Sequence, residues 1–223
     1  MTAGSRQVRL AVFDCDGTLV DGQAAVCNAM EQAFGQVGLP APQRHEVRRI
    51  VGLSLPVAIR RLAPEADETK LPLLVDAYKA AFFAAREAGQ VVEPLFDGVA
   101  PLLGRLQSKG WSLAVATGKS DRGLRGCLAG HGLLDRFASL QTADRHPSKP
   151  HPSMLMEAMA DTFAQPRDTV MIGDTAYDIE MALAAGTRAI GVVWGYHAPG
   201  ELIAAGAEAV ARSAEELEEM IHG

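Results

Sequence analysis

The 223-residue sequence predicts an α/β fold: a doubly wound parallel sheet with a block of α-helices inserted after its first strand. Three observations predict it. An apolar run, Arg9 to Phe13, ends abruptly in Asp14-Cys15-Asp16-Gly17. From roughly residue 20 to 90 the apolar positions recur at helical spacing, with no strand signal. After Glu93-Pro94, short apolar strands alternate with helical segments, which is the pattern of a parallel sheet covered on both faces.

Taken in order, Arg9–Phe13 reads as a short buried strand, and Gln23–Val37 as a helix carrying Ala, Val, Met and Phe at its spacing. Pro40 and Pro42 stop that pattern. Arg44–Val51 and Leu55–Leu62 are expected helices on either side of Gly52-Leu53-Ser54, and Leu71–Arg86 a long Ala- and Leu-rich one. Val99–Lys109, Arg122–His131, Pro152–Phe163 and Ile179–Ala185 follow as helices. Ser112–Ala116, Ala138–Thr142, Thr169–Ile172 and Thr187–Val193 follow as strands, the last of the series. The expected core is residues 1–18 and 96–223, with a helical cap over 19–95.

A hydrophobic content of 48% supports a sizeable core. The net charge of −6 gives no broad basic surface for nucleic acid or an anionic membrane. Three scattered cysteines, Cys15, Cys27 and Cys127, make neither a disulfide framework nor a zinc site. Met1–Arg9 has no apolar signal core, and no apolar run reaches spanning length. A cytoplasmic protein is expected, and no motif fixes its oligomeric state.

Chemistry concentrates at strand ends. A strand repeats every two residues, so Asp14 and Asp16 can lean the same way at the end where open α/β sheets bind ligands. An ordinary Asp/Gly turn is the plain alternative. A calcium loop fails on spacing, because Leu19 and Ala25 stand where it needs Gly and Glu. Thr117-Gly118 ends a second apolar strand. It serves either to leave the strand and cap a helix, or to hold phosphate oxygens. Gly118-Lys119-Ser120 resembles the end of a P-loop, but the earlier glycine position is Leu113. Lys149, between Ser148 and Pro150, is either a solvated lysine or a fixed ammonium for a phosphoryl group. Asp174 and Asp178 follow a third strand, and helix capping accounts for one of them more easily than both.

Charge weighs against a coincidence. Two unit charges about 4 Å apart repel by roughly 4 kcal/mol at an effective dielectric of about 20. Asp14, Asp16, Asp174 and Asp178 in one pocket therefore require a cation. Oxygen ligands without a Cys or His cluster indicate a hard ion, Mg²⁺ by default beside phosphate. His146 and His151 lack zinc spacing, Met154, Met156 and Met159 read as helix packing, and Cys15 points away from its neighbours. Trp194 and Tyr196 read as covering the sheet end.

Together these motifs resemble the haloacid dehalogenase superfamily, in its capped phosphatase branch. Asp14-Cys15-Asp16-Gly17-Thr18 is similar to its first motif, Thr117 to the second, Lys149 to the third, and Gly173-Asp174 with Asp178 to the fourth. The resemblance implies a Rossmann-like core, bound Mg²⁺ and an aspartyl-phosphate intermediate. It implies Asp14 as nucleophile and Asp16 as acid and then base. Thr117, Gly118 and Lys149 would hold the phosphoryl group. Asp14, Asp174 and the Asp16 backbone carbonyl would ligate the metal, with Asp178 orienting a water or Lys149. The second carboxylate, Asp16, favours phosphoryl chemistry over dehalogenation. A small phosphorylated metabolite is the implied substrate, similar to phosphoglycolate. A β-phosphoglucomutase-like mutase and a non-catalytic phosphometabolite-binding protein are the alternatives. Gly52 and the cap arginines Arg48, Arg49, Arg60 and Arg61 are either solvated helix surface or candidate grips on a substrate carboxylate.

Overall fold

A computed structural model describes residues 7–222; residues 1–6 and 223, at the two ends of the expected core, lie outside the described residues. Six parallel strands form one sheet: β1 (Arg9–Phe13), β2 (Trp111–Thr117), β3 (Ser139–Thr142), β4 (Thr169–Gly173), β5 (Arg188–Val192) and β6 (Ala209–Ala211). Their order is β3-β2-β1-β4-β5-β6, so the order reverses around β1. Strand alternation divides the interior in two. Ala11 and Phe13 face one core layer with Leu113, Val115 and Ile172, while Leu10 and Val12 face the other with Ala114, Ala116 and Met171.

Helices cover both layers. The first face receives α5 (Val99–Ser108), α6 (Asp121–Gly130) and α10 (Ala214–His222). Leu102, Leu106, Leu124, Leu128 and Leu217 of these helices are fully or almost fully buried. Each such leucine contributes about 1.5–3 kcal/mol by leaving water. The second face receives α7 (Ser153–Thr162), α8 (Ala176–Ala185) and α9 (Pro199–Ala204), through Met154, Leu155, Ile179, Met181 and Leu202. The result is a Rossmann-like, doubly wound sheet.

Between β1 and α5 lies the inserted helical cap: α1 (Gln23–Gln36), α2 (Arg44–Ile50), α3 (Leu55–Leu62) and α4 (Lys70–Glu87). It has its own core, built from Cys27, Met30, Phe34, Val47, Ile59 and Leu74. The chain leaves and re-enters the sheet at one place. Val20 bridges Leu95, Asp21 N–H donates to the Pro94 carbonyl at 2.8 Å, and Phe96 N–H donates to the Leu19 carbonyl at 3.0 Å.

The expected strand series is one short. Beyond β5 the structure adds α9, β6 and α10, so Thr187–Val193 does not contain the last strand. At three residues, Ala-Val-Ala, β6 is too short to show alternation, and its pairing with the β5 edge supplies what periodicity lacks.

Candidate active site

Register brings the strand ends together. Phe13 pairs with Val115 on one side and Ile172 on the other, so one further step sets Asp14 beside Ala116 and Gly173. Thr117 and Asp174 come next along those strands. Asp14 N–H donates to the Ile172 carbonyl at 2.9 Å, which fixes the first residue past β1. Asp14, Thr117, Lys149, Asp174 and Asp178 are all buried, and Asp16 is nearly so.

Lys149 lies at the centre of this group. Its Nζ is 2.9 Å from Asp14 Oδ1 and 2.6 Å from Asp178 Oδ1. Burial opposes the lysine's charge, yet Asp14 and Asp178 hold it above the ordinary lysine range. Asp178 also closes the capping box of α8, accepting from Thr175 N–H at 3.0 Å and Thr175 Oγ1 at 2.7 Å. It thus performs the capping role and faces the lysine as well. Asp174 accepts from Thr18 Oγ1 and from Tyr196 N–H, both at 2.9 Å.

One oxygen from each of Asp14, Asp174 and Asp178 lies within 4.8 Å of the others. Burial, together with the neighbouring acids, pushes Asp174 well above the usual carboxylate range. Burial likewise pushes Asp14 up to about 7, against the pull of Lys149. Asp14 Oδ2 is buried with no hydrogen-bond partner among the described residues. A lone ammonium therefore leaves this carboxylate set short of positive charge. An oxygen-only, hard-cation donor set with a free carboxylate oxygen fits a divalent ion such as Mg²⁺.

Asp16 turns to a different partner. Lys119 Nζ stands 3.1 Å from Asp16 Oδ1 and 2.6 Å from Glu93 Oε1. Arg86 of α4 in turn reaches Glu93 at 2.7 Å. Burial raises Asp16 above its ordinary value, with Lys119 opposing. Sequence reasoning missed Lys119 and Glu93 as site residues. The available signal was that Lys119 lies two positions past Thr117 at the same strand end. Thr18 and the Tyr196 backbone, which position Asp174, were missed too.

Thr117 does not cap α6; that is done by Ser120, whose hydroxyl accepts from Gly123 N–H at 3.2 Å. The Thr117 hydroxyl accepts from Lys119 N–H at 3.3 Å and remains able to donate. Gly118 and Gly52 press core and cap together. A Cβ on Gly118 would stand 2.5 Å from the Leu53 carbonyl oxygen. Gly52, at φ +94°, sits so that a Cβ would lie 3.8 Å from Asp14 Oδ2. Cys15 packs into the core away from both carboxylates, as its position in the motif predicts.

A cleft of about 620 Å³ opens between cap and core, lined by Asp16, Gly52, Gly118 and Lys119 among others. The four cap arginines do not line it. Arg49 pairs with Glu201, Arg60 donates to the Ala66 carbonyl and pairs with Glu68, Arg61 donates to the Tyr177 hydroxyl, and Arg48 is exposed.

The fold and site together define a Rossmann-like α/β protein with carboxylates and a buried lysine gathered at its strand ends beneath a helical cap. A family model described as "Haloacid dehalogenase-like hydrolase" matches residues 11–192. The chain belongs to that family. It is 37% identical over 199 residues to "Probable phosphatase IndB" of Dickeya dadantii, covering 88% of this chain and 86% of that one. It is 33% identical over 209 residues to the phosphoglycolate phosphatase of Vibrio vulnificus, with 90% of each covered. Among solved structures, a predicted phosphatase from Clostridium acetobutylicum superimposes with a TM-score of 0.86 at 26% identity, covering 97% of this chain and 99% of that one.

Proposed function

We propose that this hydrolase is a magnesium-dependent phosphatase that cleaves a phosphorylated metabolite through a phosphoryl group carried on Asp14. One observation carries the reading: a fully buried carboxylate at the end of the central strand, held by Lys149 through one oxygen and free at the other. One oxygen of the Asp14 carboxylate attacks phosphorus while the bond from phosphorus to the alcohol oxygen breaks. Asp16, raised by burial and therefore able to hold a proton, gives it to the departing oxygen. Asp16 then takes a proton from the water that attacks the aspartyl-phosphate, releasing inorganic phosphate and restoring Asp14.

Lys149 and the Thr117 hydroxyl stabilise the charge on the equatorial oxygens, with backbone N–H groups at Gly118 assisting. The Asp14 and Asp174 carboxylates and the Asp16 backbone carbonyl would hold the ion, with Asp178 beside them keeping Lys149 in place. When bound, the ion neutralises the crowded carboxylates and the phosphoryl oxygens. Residues 19–95 act as the cap that excludes bulk water and reads the alcohol. The narrower expectation of a phosphoglycolate-like acid draws support from the named relatives, whereas the expected grips Arg48, Arg49, Arg60 and Arg61 do not line the cleft.

The test is phosphate release from a panel of phosphomonoesters, with Mg²⁺ and with EDTA. Wild type should turn over only with the metal, and Asp14→Asn should fall to background. An Asp14→Asn protein with wild-type turnover, checked for deamidation, would sink the assignment.

A further inference from the structure

We propose that the alcohol carried by the substrate bears a flat, uncharged aromatic group, seated against the cap, and is not a two-carbon acid. The inference rests on the phosphatase reading and narrows it.

Direction comes first. Of Asp14, Asp16, Asp174 and Asp178, Asp16 lines the cleft, and in the proposed mechanism Asp16 is the group that meets the departing oxygen. The cleft therefore receives the alcohol, not the phosphoryl group. Size comes second. About 620 Å³ lies within the range that takes drug-sized ligands. It has room for roughly twenty waters at about 30 Å³ each. A glycolate moiety would displace only a few of them and leave the rest of the wall wet.

The wall itself is apolar and aromatic. Met30, Leu53, Pro56, Tyr78, Phe82 and Phe83 line it from the cap side. Tyr78 and Phe82 are stacked, with centroids 6.0 Å apart and planes 25° from parallel. Phe83 is 41% exposed. Arg86 and Lys119 lie over the Phe82 ring at 5.5 and 5.8 Å, and a flat ring would cover the apolar surface left between these groups.

The charges near Asp16 are largely paired. The cations nearest Asp16 are committed: Lys119 to Asp16 and Glu93, and Arg86 to Glu93. With Asp16 carrying the proton it donates, these two cations face the single carboxylate of Glu93, so it is the size of the cleft and its apolar wall that disfavour a two-carbon acid. The remaining cations of the lining, Lys79 and Arg122, are exposed, and Arg122 lies over the Phe83 ring at 4.1 Å.

The experiment compares kcat/KM for 2-phenylethyl phosphate, ethyl phosphate and 2-phosphoglycolate with Mg²⁺. The first two release alcohols of similar basicity, so intrinsic reactivity cancels between them. The phenylethyl ester should exceed the ethyl ester by at least about tenfold, the scale on which apolar pockets discriminate. Tyr78→Ala and Phe82→Ala should shrink that ratio, and Tyr78→Phe should keep it. A role in cap stability alone would lower both esters together and leave the ratio intact, which would overturn the proposal. So would a wild-type ratio near one, or a preference for 2-phosphoglycolate, while the phosphatase reading stood. No phosphate from any of the three esters, from folded protein, would overturn both.

Discussion

Lys149 balances two buried acids at once, with all three side chains sealed from solvent. Removing its charge leaves Asp14 and Asp178 facing each other without compensation. Lys149→Met should lose about 3–5 kcal/mol of stability in urea unfolding. Magnesium should then raise the variant's Tm by more than it raises that of wild type, because the ion becomes the main counter-charge for the carboxylates. Thr117→Val keeps the shape and removes the hydroxyl; its kcat should fall by about 10²–10³, the scale of one lost transition-state donor. At this scale Asp14, Asp16, Asp174 and Asp178 were legible because each interrupts or follows an apolar run. Lys119 was not, because its meaning depends on Glu93, which returns to it only through the folded linker. The free oxygen of Asp14 was likewise invisible before the packing was known.

Among elements, the junction between cap and core joins Arg86 at the end of α4, Glu93 in the returning linker and Lys119 just past β2. Burial alone would raise the Glu93 carboxyl, but Lys119 and Arg86 outweigh it and hold the group below the ordinary value of 4.5. A carboxyl lowered on folding stabilises the protein above its unfolded pKa, and loses that contribution as pH falls through the folded value. Wild type should therefore exceed Glu93→Gln in unfolding free energy at neutral pH. That gap should close as urea melts are taken down in pH through the folded-state value, which lies below 4.5. Gly118→Ala tests the same junction sterically. Its methyl would run into the Gly52 and Leu53 carbonyls, so KM should rise through incomplete closure, with circular dichroism unchanged. The strands and helices through β5 were legible because each is long enough to show its period. The tail was not, since β6 is three residues and depends on its neighbour for definition.

Across the whole molecule, hydrogen bonds tie cap to core. Ser54 N–H donates to Ser148 Oγ at 2.9 Å, and the Tyr177 hydroxyl donates to the Arg49 carbonyl at 3.1 Å while accepting from Arg61. The Arg49–Glu201 pair is exposed, so it contributes little to stability and is screened by salt. Tyr177→Phe should therefore loosen closure more than salt does, raising KM with a smaller effect on kcat in steady-state assays. The layered architecture was readable from the alternation of strand and helix. How the cap sits was not, because that depends on glycines and carbonyls meeting across a gap. The pairing of Val20 with Leu95 carries one more consequence. A chain that exits and returns at one bridged pair, tied by the hydrogen bonds of the neighbouring residues, forms a socket. Another helical cassette, of different length, can be spliced there without shifting any sheet register. With Arg86 and Glu93 kept to face Lys119, the strand-end chemistry would then serve a new alcohol, which makes this junction the place to graft when changing what the enzyme accepts.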